Sequence, residues 1–465
     1  MTELDEALRL TRALGREKKP LEKNDQYFEG EQPLRFIAPI LEQEMGYRVS
    51  PIVLNLAPFA VDVYDNRLDI EGFRIGNNRR SRTADDEVED VWEENQGAFI
   101  SQQVHREGLA LGRGYAMVGP AESDDDAPVV TIESPFDAIH EDDPRTKRVK
   151  HGIKRWTDLD KVQWMTYLHQ DGSVTWRKKG REWEEDDRDD HDFGICSLVP
   201  LLNDPRILGR SRPGKFDQRL GRSVFHSVIS PLDGLNKFAS DMMISGEFHA
   251  LPRRWATGLN EDDFVDQKTG EALNTFSMIA GRMWGTSASR KDAEFGQFPE
   301  ADLANFHNTI KLLMQIVAMQ LGLPSHYLLF QGDNPPSADA IRSSEAQLVK
   351  RAERKQASLS RGWEMVQRLV LLELGRDADA KPRMIETLWR DPSTPTIAQK
   401  ADAIVKLVQA KDDSGRSIVP IEQAREDLGY TEIQQDRMRD WDENVTTDPQ
   451  VSAAMRSLDA ARGNR

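Results

Sequence analysis

The sequence predicts an α+β fold in which helices dominate, and three observations carry that expectation. Residues 301–374 hold two long segments with apolar residues at helical spacing, separated by one polar, proline-marked loop. Between Arg113 and Leu202 the period changes to short β-branched and aromatic runs separated by turn residues, the pattern of a mainly antiparallel sheet. Beyond Pro395 the chain returns to short helical segments with capping signals. Helices and strands that are segregated along the chain in this way belong to α+β rather than alternating α/β architecture.

From the amino terminus, Leu4, Leu8 and Leu14 place an amphipathic helix over 3–17 that ends near Gly15. Pro20, Pro33, Pro39, Pro51 and Pro58 then divide the chain into short helical or irregular pieces up to about Tyr64. Asp85 to Leu111, with Val88, Val91, Trp92, Phe99, Val104 and Leu111, reads as helices that pack on the sheet. Strands are expected at Val129 to Ile132, Val149 to Trp156, Val162 to His169 and Val174 to Lys178, with a turn at Gln170-Asp171-Gly172. Ser230-Pro231-Leu232-Asp233 has the form of a helix start, serine capping and proline in the first position; alternatively Pro231 kinks a helix already running from Ser223. Either helix leads into a small β-rich insertion, Ala250 to Pro299, with strands at Arg253 to Thr257 and Thr275 to Trp284.

Next, Leu303, Phe306, Ile310, Leu313, Val317 and Leu321 form one face of a helix over 301–321, ended by Gly322 and Pro324. In the loop Ser325 to Pro336, the apolar anchor Tyr327-Leu328-Leu329-Phe330 precedes a polar tip, Gln331-Gly332-Asp333-Asn334. Ser337 is placed as the N-cap of the next helix, and Ile341, Leu348, Ala352, Leu359, Trp363, Val366, Val370 and Leu374 continue a single apolar stripe. At 1.5 Å per residue such a rod is roughly 57 Å long, more than a compact enzyme core needs. Pro382, Pro392 and Pro395 mark a boundary, and helices follow at Ile397 to Ala410, Ile421 to Leu428 and Glu432 to Glu443. The last of these has Thr431 and Gln434 in capping-box spacing, and the polar stretch from Asn444 onward is expected to fray.

Composition narrows the functional classes. The 465 residues include 30% charged side chains, and the mean hydropathy of −0.63 is that of a water-soluble chain with extensive wet or shared surface. No apolar run approaches the ~20 residues of a membrane span, and Met1 to Glu6 lack the basic and apolar regions of a secretory signal, so a cytoplasmic location and no membrane partner are expected. Cys196 is the sole cysteine, which excludes an internal disulfide and reads as a small buried hydrophobe. The formal charge of −17 is opposite in sign to that of a protein that grips DNA tightly, because phosphate neutralisation supplies most of such affinity.

Catalytic motifs gain no support. Gly209-Arg210-Ser211-Arg212-Pro213-Gly214-Lys215-Phe216 nearly matches a phosphate-binding loop, but Phe216 replaces the hydroxyl that would hold Mg²⁺ and Pro213 removes a backbone N–H from the cradle. The acidic stretch Glu182 to Asp192 lacks the ligand alternation and turn glycine of a calcium loop and reads as a solvated hairpin; Asp124-Asp125-Asp126 reads as a loop tip. Gly112-Arg113-Gly114 lacks the third glycine of a dinucleotide fingerprint, and neither a His-Glu-x-x-His motif nor a Gly-x-Ser-x-Gly elbow occurs. No cofactor or metal is expected. The near-match at Gly209 is the best support for an alternative reading, a DNA-packaging ATPase or nuclease of the terminase type, which lacks both that hydroxyl and a metal-binding carboxylate motif.

Several blocks, taken in order, resemble the portal proteins of long-tailed, actinobacteria-infecting bacteriophages. They are Tyr27 to Leu34, Asn66 to Phe73, Gly112 to Val118, Glu133-Ser134-Pro135, Gly322-Leu323-Pro324 and Asn334 to Ile341, and the similarity spans about residues 25–440. The resemblance implies a mainly helical portal fold, a ring-shaped homo-oligomer that is usually a dodecamer, with a wing (1–222 and, as a long helix and return, 337–395), stem helices (223–248 and 301–322), a clip (249–300), a tunnel loop (323–336), a helical crown (396–443) and a flexible tail (444–465). It further implies passage of double-stranded DNA without sequence specificity, and partners that include the terminase large subunit, major capsid and scaffolding proteins, and a head-tail adaptor. The expected location is the virion, at the portal vertex, with assembly in the host cytoplasm. Lys311, Gln331, Gly332, Asp333 and Asn334 become the candidate channel residues. In the clip, Arg253, Arg254, Trp255, Arg282, Trp284, Arg290 and Lys291 are the candidate docking residues, since aromatics and arginines carry interface energy disproportionately. An acidic bore would repel phosphates and leave few adhesive wells along the path.

Overall fold

A computed structural model describes residues 2–33, 52–76, 86–121, 123, 126–207, 218–250, 254–257, 294–297, 303–328, 337–381, 384–393, 404–411, 417–428, 430 and 432–445. The chain divides into two units, Met1–Pro392 and Ser393–Arg465.

Unit one begins with helix α1 (Glu3–Glu29), which starts in a capping box: the Asp5 amide donates to the Thr2 hydroxyl at 3.2 Å and the Thr2 amide to the Asp5 carboxylate at 3.1 Å. Contrary to expectation, it does not stop at Gly15, and Pro20 lies inside it. Its buried stripe, Ala7, Leu10, Leu14, Leu21 and Tyr27, continues across both residues. Burial along this whole length outweighs the glycine penalty of about 1 kcal/mol and the hydrogen bond that proline cannot donate. The helix ends at Gly30, in the left-handed conformation at φ 77°. Helix α2 (Ala57–Asp65) and strand β1 (Ile70–Ile75) follow. The helical run expected up to Leu111 is split into α3 (Asp86–Glu94) and α4 (Gly97–Leu111) where Gln96 turns to φ 53°.

The β region holds two antiparallel sheets rather than one. Strands β2 (Arg113–Gly119), β3 (Val129–Glu133) and β9 (Leu198–Leu202) form a three-stranded sheet in the order β3-β2-β9. Strands β4 (Ala138–Asp142), β5 (Val149–Thr157), β6 (Gln163–His169), β7 (Gly172–Lys179) and β8 (Glu182–Asp190) form a five-stranded meander. One face of the meander, through Ile139, Ile153, Met165, Tyr167, Val174 and Trp176, packs with Ala7, Leu10 and Leu14 of α1. Its other face meets the three-stranded sheet around Tyr115, Ala138, Leu168, Leu198 and the buried Cys196, whose thiol is pushed up to about 12 by burial.

Helix α5 (Ile229–Ala250) begins with Pro231 inside its first turn, close to the first of the two expected arrangements. The insertion contributes β10 (Arg254–Thr257), as expected, but its partner is β11 (Glu294–Gln297); Thr275 to Trp284 lies outside the described residues. Helix α6 (Ala304–Leu321) packs against α5, with Leu313 over Gly234, and Leu303, expected on its buried face, precedes the first turn and is exposed. Helix α7 (Ala338–Glu373), 36 residues long, buries Leu348, Ala352, Leu359, Trp363, Val366 and Val370, and strand β12 (Ile385–Trp389) returns to pair with β1. Gly362 lets α7 lie against β9: a Cβ there would stand 2.5 Å from Leu201 Cδ2 and 3.2 Å from the Pro200 carbonyl.

Unit two contains a helical segment at 404–409, α8 (Ile421–Asp427) and α9 (Glu432–Val445), near the expected positions, with Arg425 bridging to Asp442 at 2.6 Å. Ile404 and Ala424 are buried; Thr431 and 446–465 lie outside the described residues.

An acid-base network fixes the first turns of α1 to the meander. Glu6 accepts from the Tyr167 hydroxyl at 2.6 Å, Glu3 from Arg188 at 2.8 Å, and Glu141 pairs with Arg9 and with His151 at 2.8 Å. The Tyr167 hydrogen bond holds Glu6 below the usual carboxylate range and the Arg188 bond does the same for Glu3. For Glu141, burial acts upward, but hydrogen bonds from Arg9 and His151 outweigh it and bring the group to about 2. Depressed carboxylates stabilise the fold above their unfolded value of about 4.3 and lose that contribution as pH falls through the folded value. Glu141→Gln is therefore expected to lower unfolding stability at pH 7, with the deficit shrinking between about pH 4.3 and 2. A deficit that is independent of pH in thermal unfolding would contradict the network.

Candidate functional site

The end of α6 is where backbone chemistry, a loop root and the long helix meet. A helix leaves its last carbonyls without intrahelical donors, and here each finds one. Gly322, at φ 72°, turns the chain; Leu323 N–H returns to the Ala318 carbonyl at 2.9 Å. Arg351 of α7 donates to the Gln320 carbonyl at 2.9 Å, and the buried Tyr64 of α2 donates to the Leu321 carbonyl at 2.5 Å. The Arg351 guanidinium lies directly over Gly322, so a Cβ there would meet Arg351 Cζ at 2.6 Å. Glycine is favoured here by the left-handed conformation, and a side chain would also push the Arg351 guanidinium aside.

Pro324 leads into a single 3₁₀ turn, Ser325–Tyr327. The Tyr327 ring sits edge-on to Phe59, its hydroxyl donates to Glu345 of α7 at 2.8 Å, and Arg67 donates to that hydroxyl at 3.1 Å. Burial, reinforced by the Glu345 acceptor, raises the phenol above its usual range, so it remains a neutral donor. Arg67 is itself oriented by the Val63 carbonyl at 2.9 Å. Two loop ends, one at Leu328 and one at Ala338, therefore spring from a node built by α2, α6 and α7. Such a node can fix the position of Tyr327 at the end of α6; it assembles neither a nucleophile with a base nor, among the described residues, a group of metal-ligating side chains.

The sequence-expected residues fall as follows. Gln331, Gly332, Asp333 and Asn334 lie outside the described residues. Lys311 is exposed on α6, about 15 Å along the axis from Leu321, and is not brought to the node. Arg254 and Trp255 sit on β10 opposite Gln297 and Gly296, whereas Arg253, Arg282, Trp284, Arg290 and Lys291 lie outside the described residues, as does the whole of Gly209 to Phe216. Tyr64, Arg67, Glu345 and Arg351 were not singled out as site residues. Arg67 lies within the quoted Asn66 to Phe73 block, but its partners are far away in sequence and no local pattern pairs them. Tyr327→Phe is expected to destabilise the fold by about 1–3 kcal/mol, because it leaves the part-buried Glu345 and Arg67 without their shared hydroxyl. Equilibrium unfolding measures this, and a change below about 0.5 kcal/mol would contradict the role of the node.

The family profile "Phage portal protein, SPP1 Gp6-like" matches residues 9–436. The portal protein of Mycobacterium phage D29 is 31% identical over 437 residues, covering 91% of this chain and 85% of that protein. The portal protein of Mycobacterium phage L5 is 30% identical over 439 residues with the same coverage. Among solved structures, a chain in the neck of an empty gene transfer agent (GTA) particle, computed with C6 symmetry, aligns over 86% of this chain and 95% of its own length with 12% identity and a TM-score of 0.45. A chain of the virion of a native gene transfer agent particle aligns over 88% of this chain and 99% of its own, with 13% identity and a TM-score of 0.44. The profile match runs from within α1 through the two sheets, the node and α7, and this chain belongs to the SPP1 Gp6-like family of phage portal proteins.

Proposed function

We propose that copies of this chain close into a ring, twelve-membered as is usual for the family, that forms the channel at one vertex of a phage head. Double-stranded DNA passes in during packaging and out during ejection, without sequence readout. The observation that carries this reading is identity of 31% and 30% to two phage portal proteins over 91% of the chain. The net charge of −17 per copy supports it: a bore lined by such chains repels phosphate and gives moving DNA few places to stick.

In this reading α5 and α6 are the stem, the segment 249–300 with β10 and β11 is the clip, and residues 323–336 are the tunnel loop, rooted at Tyr327. The remainder of unit one is the wing and 396–443 the crown. The clip receives the terminase large subunit, whose ATP hydrolysis drives translocation, and later the head-tail adaptor; the wing meets scaffolding and major capsid proteins. Assembly takes place in the host cytoplasm before the protein becomes part of the virion. The polar tip Gln331 to Asn334, and Lys311 on the stem, face the DNA.

Purified native protein and the variant Asp333→Ala/Asn334→Ala are both expected to give annular particles in negative-stain images, while the variant packages less DNA into heads. A native chain that remains monomeric contradicts the ring, and unchanged packaging by the variant contradicts the tunnel-loop assignment.

A further inference from the structure

The five-stranded meander carries opposite charge at its two edges. At the first edge, the hairpin between β4 and β5 exposes Arg145, Lys147, Arg148 and Lys150. The hairpin's own Asp143 is engaged within the turn, where it accepts from the Thr146 and Arg145 amides at 2.6 and 2.9 Å and from the Thr146 hydroxyl at 3.0 Å. None of the four cations stands in a salt bridge among the described residues. Lys147 acts on Asp142 and Lys150 on Asp143 and Glu6 at longer range, while Arg148 faces another cation, Arg368.

At the opposite edge, β8 has seven carboxylates and one arginine in nine residues. Arg177, Lys179 and Arg188 engage Glu184, Glu185, Asp186 and Asp190, which leaves Glu182, Asp187 and Asp189 without a salt bridge among the described residues. β8 is terminal in its sheet, so among the described residues its outer backbone edge meets no other strand.

The two patches lie at the same end of the strands. The register His151 to His169, His169 to Gly172 and Gly172 to Asp190 runs as one row across the sheet, with the basic hairpin beyond its start and the acidic end of β8 at its finish. Three strand spacings, about 14 Å, separate them. A rotation about an axis along the strands therefore carries the acidic edge of one copy onto the basic hairpin of the next. Head-to-tail contacts of this kind close into a ring when the rotation between neighbours divides a full turn evenly, and otherwise give an open filament.

We propose that the β4–β5 hairpin of each copy docks on the β8 edge of its neighbour, and that this charge-complementary contact sets the direction and offset of assembly among chains whose net charge otherwise repels. The inference rests on the ring reading. It adds the surface and its polarity.

The test is charge reversal, read as the ring fraction by native mass spectrometry at fixed protein concentration. One variant carries Arg145→Glu/Lys147→Glu/Arg148→Glu, the other Asp187→Lys/Asp189→Lys/Asp190→Lys. Each alone is expected to lower the ring fraction by about tenfold or more, since like charges then face each other across the contact. An equimolar mixture of the two is expected to restore rings of alternating copies, because each reversed hairpin meets a reversed edge; recovery also shows that both variants fold. Rings formed normally by either variant, or a mixture no better than its components, would overturn the contact while leaving the ring reading intact. A native chain that forms no rings would overturn both.

Discussion

The indole of Trp363 is the point on which unit one is organised. It is fully buried on α7, donates through Nε1 to His105 Nε2 at 2.7 Å, and meets Trp92 edge-on at 5.2 Å. Burial depresses His105 to about 3, so its ring stays neutral and able to accept at any pH at which the protein works. Trp92 in turn packs edge-on to Phe73 of β1, and Trp389 of β12 approaches His105. Trp363 thus joins α7 to α3 and α4 directly, and through Trp92 and His105 the cluster reaches the β1–β12 pair, elements separated by up to about three hundred residues of sequence. Aromatic groups in such edge contacts add to area burial a preference for one orientation, which suits a strut that must hold a fixed direction.

From that anchor α7 passes its rigidity outward. Ser358 donates to the Leu202 carbonyl at 2.9 Å, and Lys355, buried above the Tyr64 ring, donates to Asn203 at 2.6 Å. Burial lowers the Lys355 ammonium, and Asp204 at 3.3 Å acts in the opposite sense. About one turn and nearly three turns further toward the amino end, Arg351 and Glu345 close the node at the end of α6. The loop root is therefore positioned by the same helix that organises the core.

The carboxyl end of α6 and the extent of α7 were legible because they are written locally: Gly322 and Pro324 stop one helix, and Ser337 with a continuous apolar stripe starts the other. The course of α1 was not. Gly15 and Pro20 are genuine breaking signals, and only burial against two cores, invisible in a single chain segment, overrides them. The pairing of β1 with β12 and of β10 with β11 escaped for a related reason, since nothing local specifies a partner strand across a long insertion. The node behaved in the same way. Tyr327 was legible as an apolar anchor, but its polar partners Arg67 and Glu345 come from other elements, and a pair of opposite charges in a chain with 30% charged residues is no signal. The acidic run of β8 was recognisable as a hairpin arm, whereas its place at the sheet edge opposite a basic turn depends on strand order.

The dependence on α7 is tested most directly by Trp363→Ala, followed by equilibrium unfolding together with hydrogen exchange of the amides at 318–327. Loss of the indole and of its bond to His105 is expected to cost about 3–5 kcal/mol and to speed exchange at the distant loop root. A cost below about 1 kcal/mol, or native exchange at the root despite a destabilised core, would contradict the claim that this one helix positions the loop.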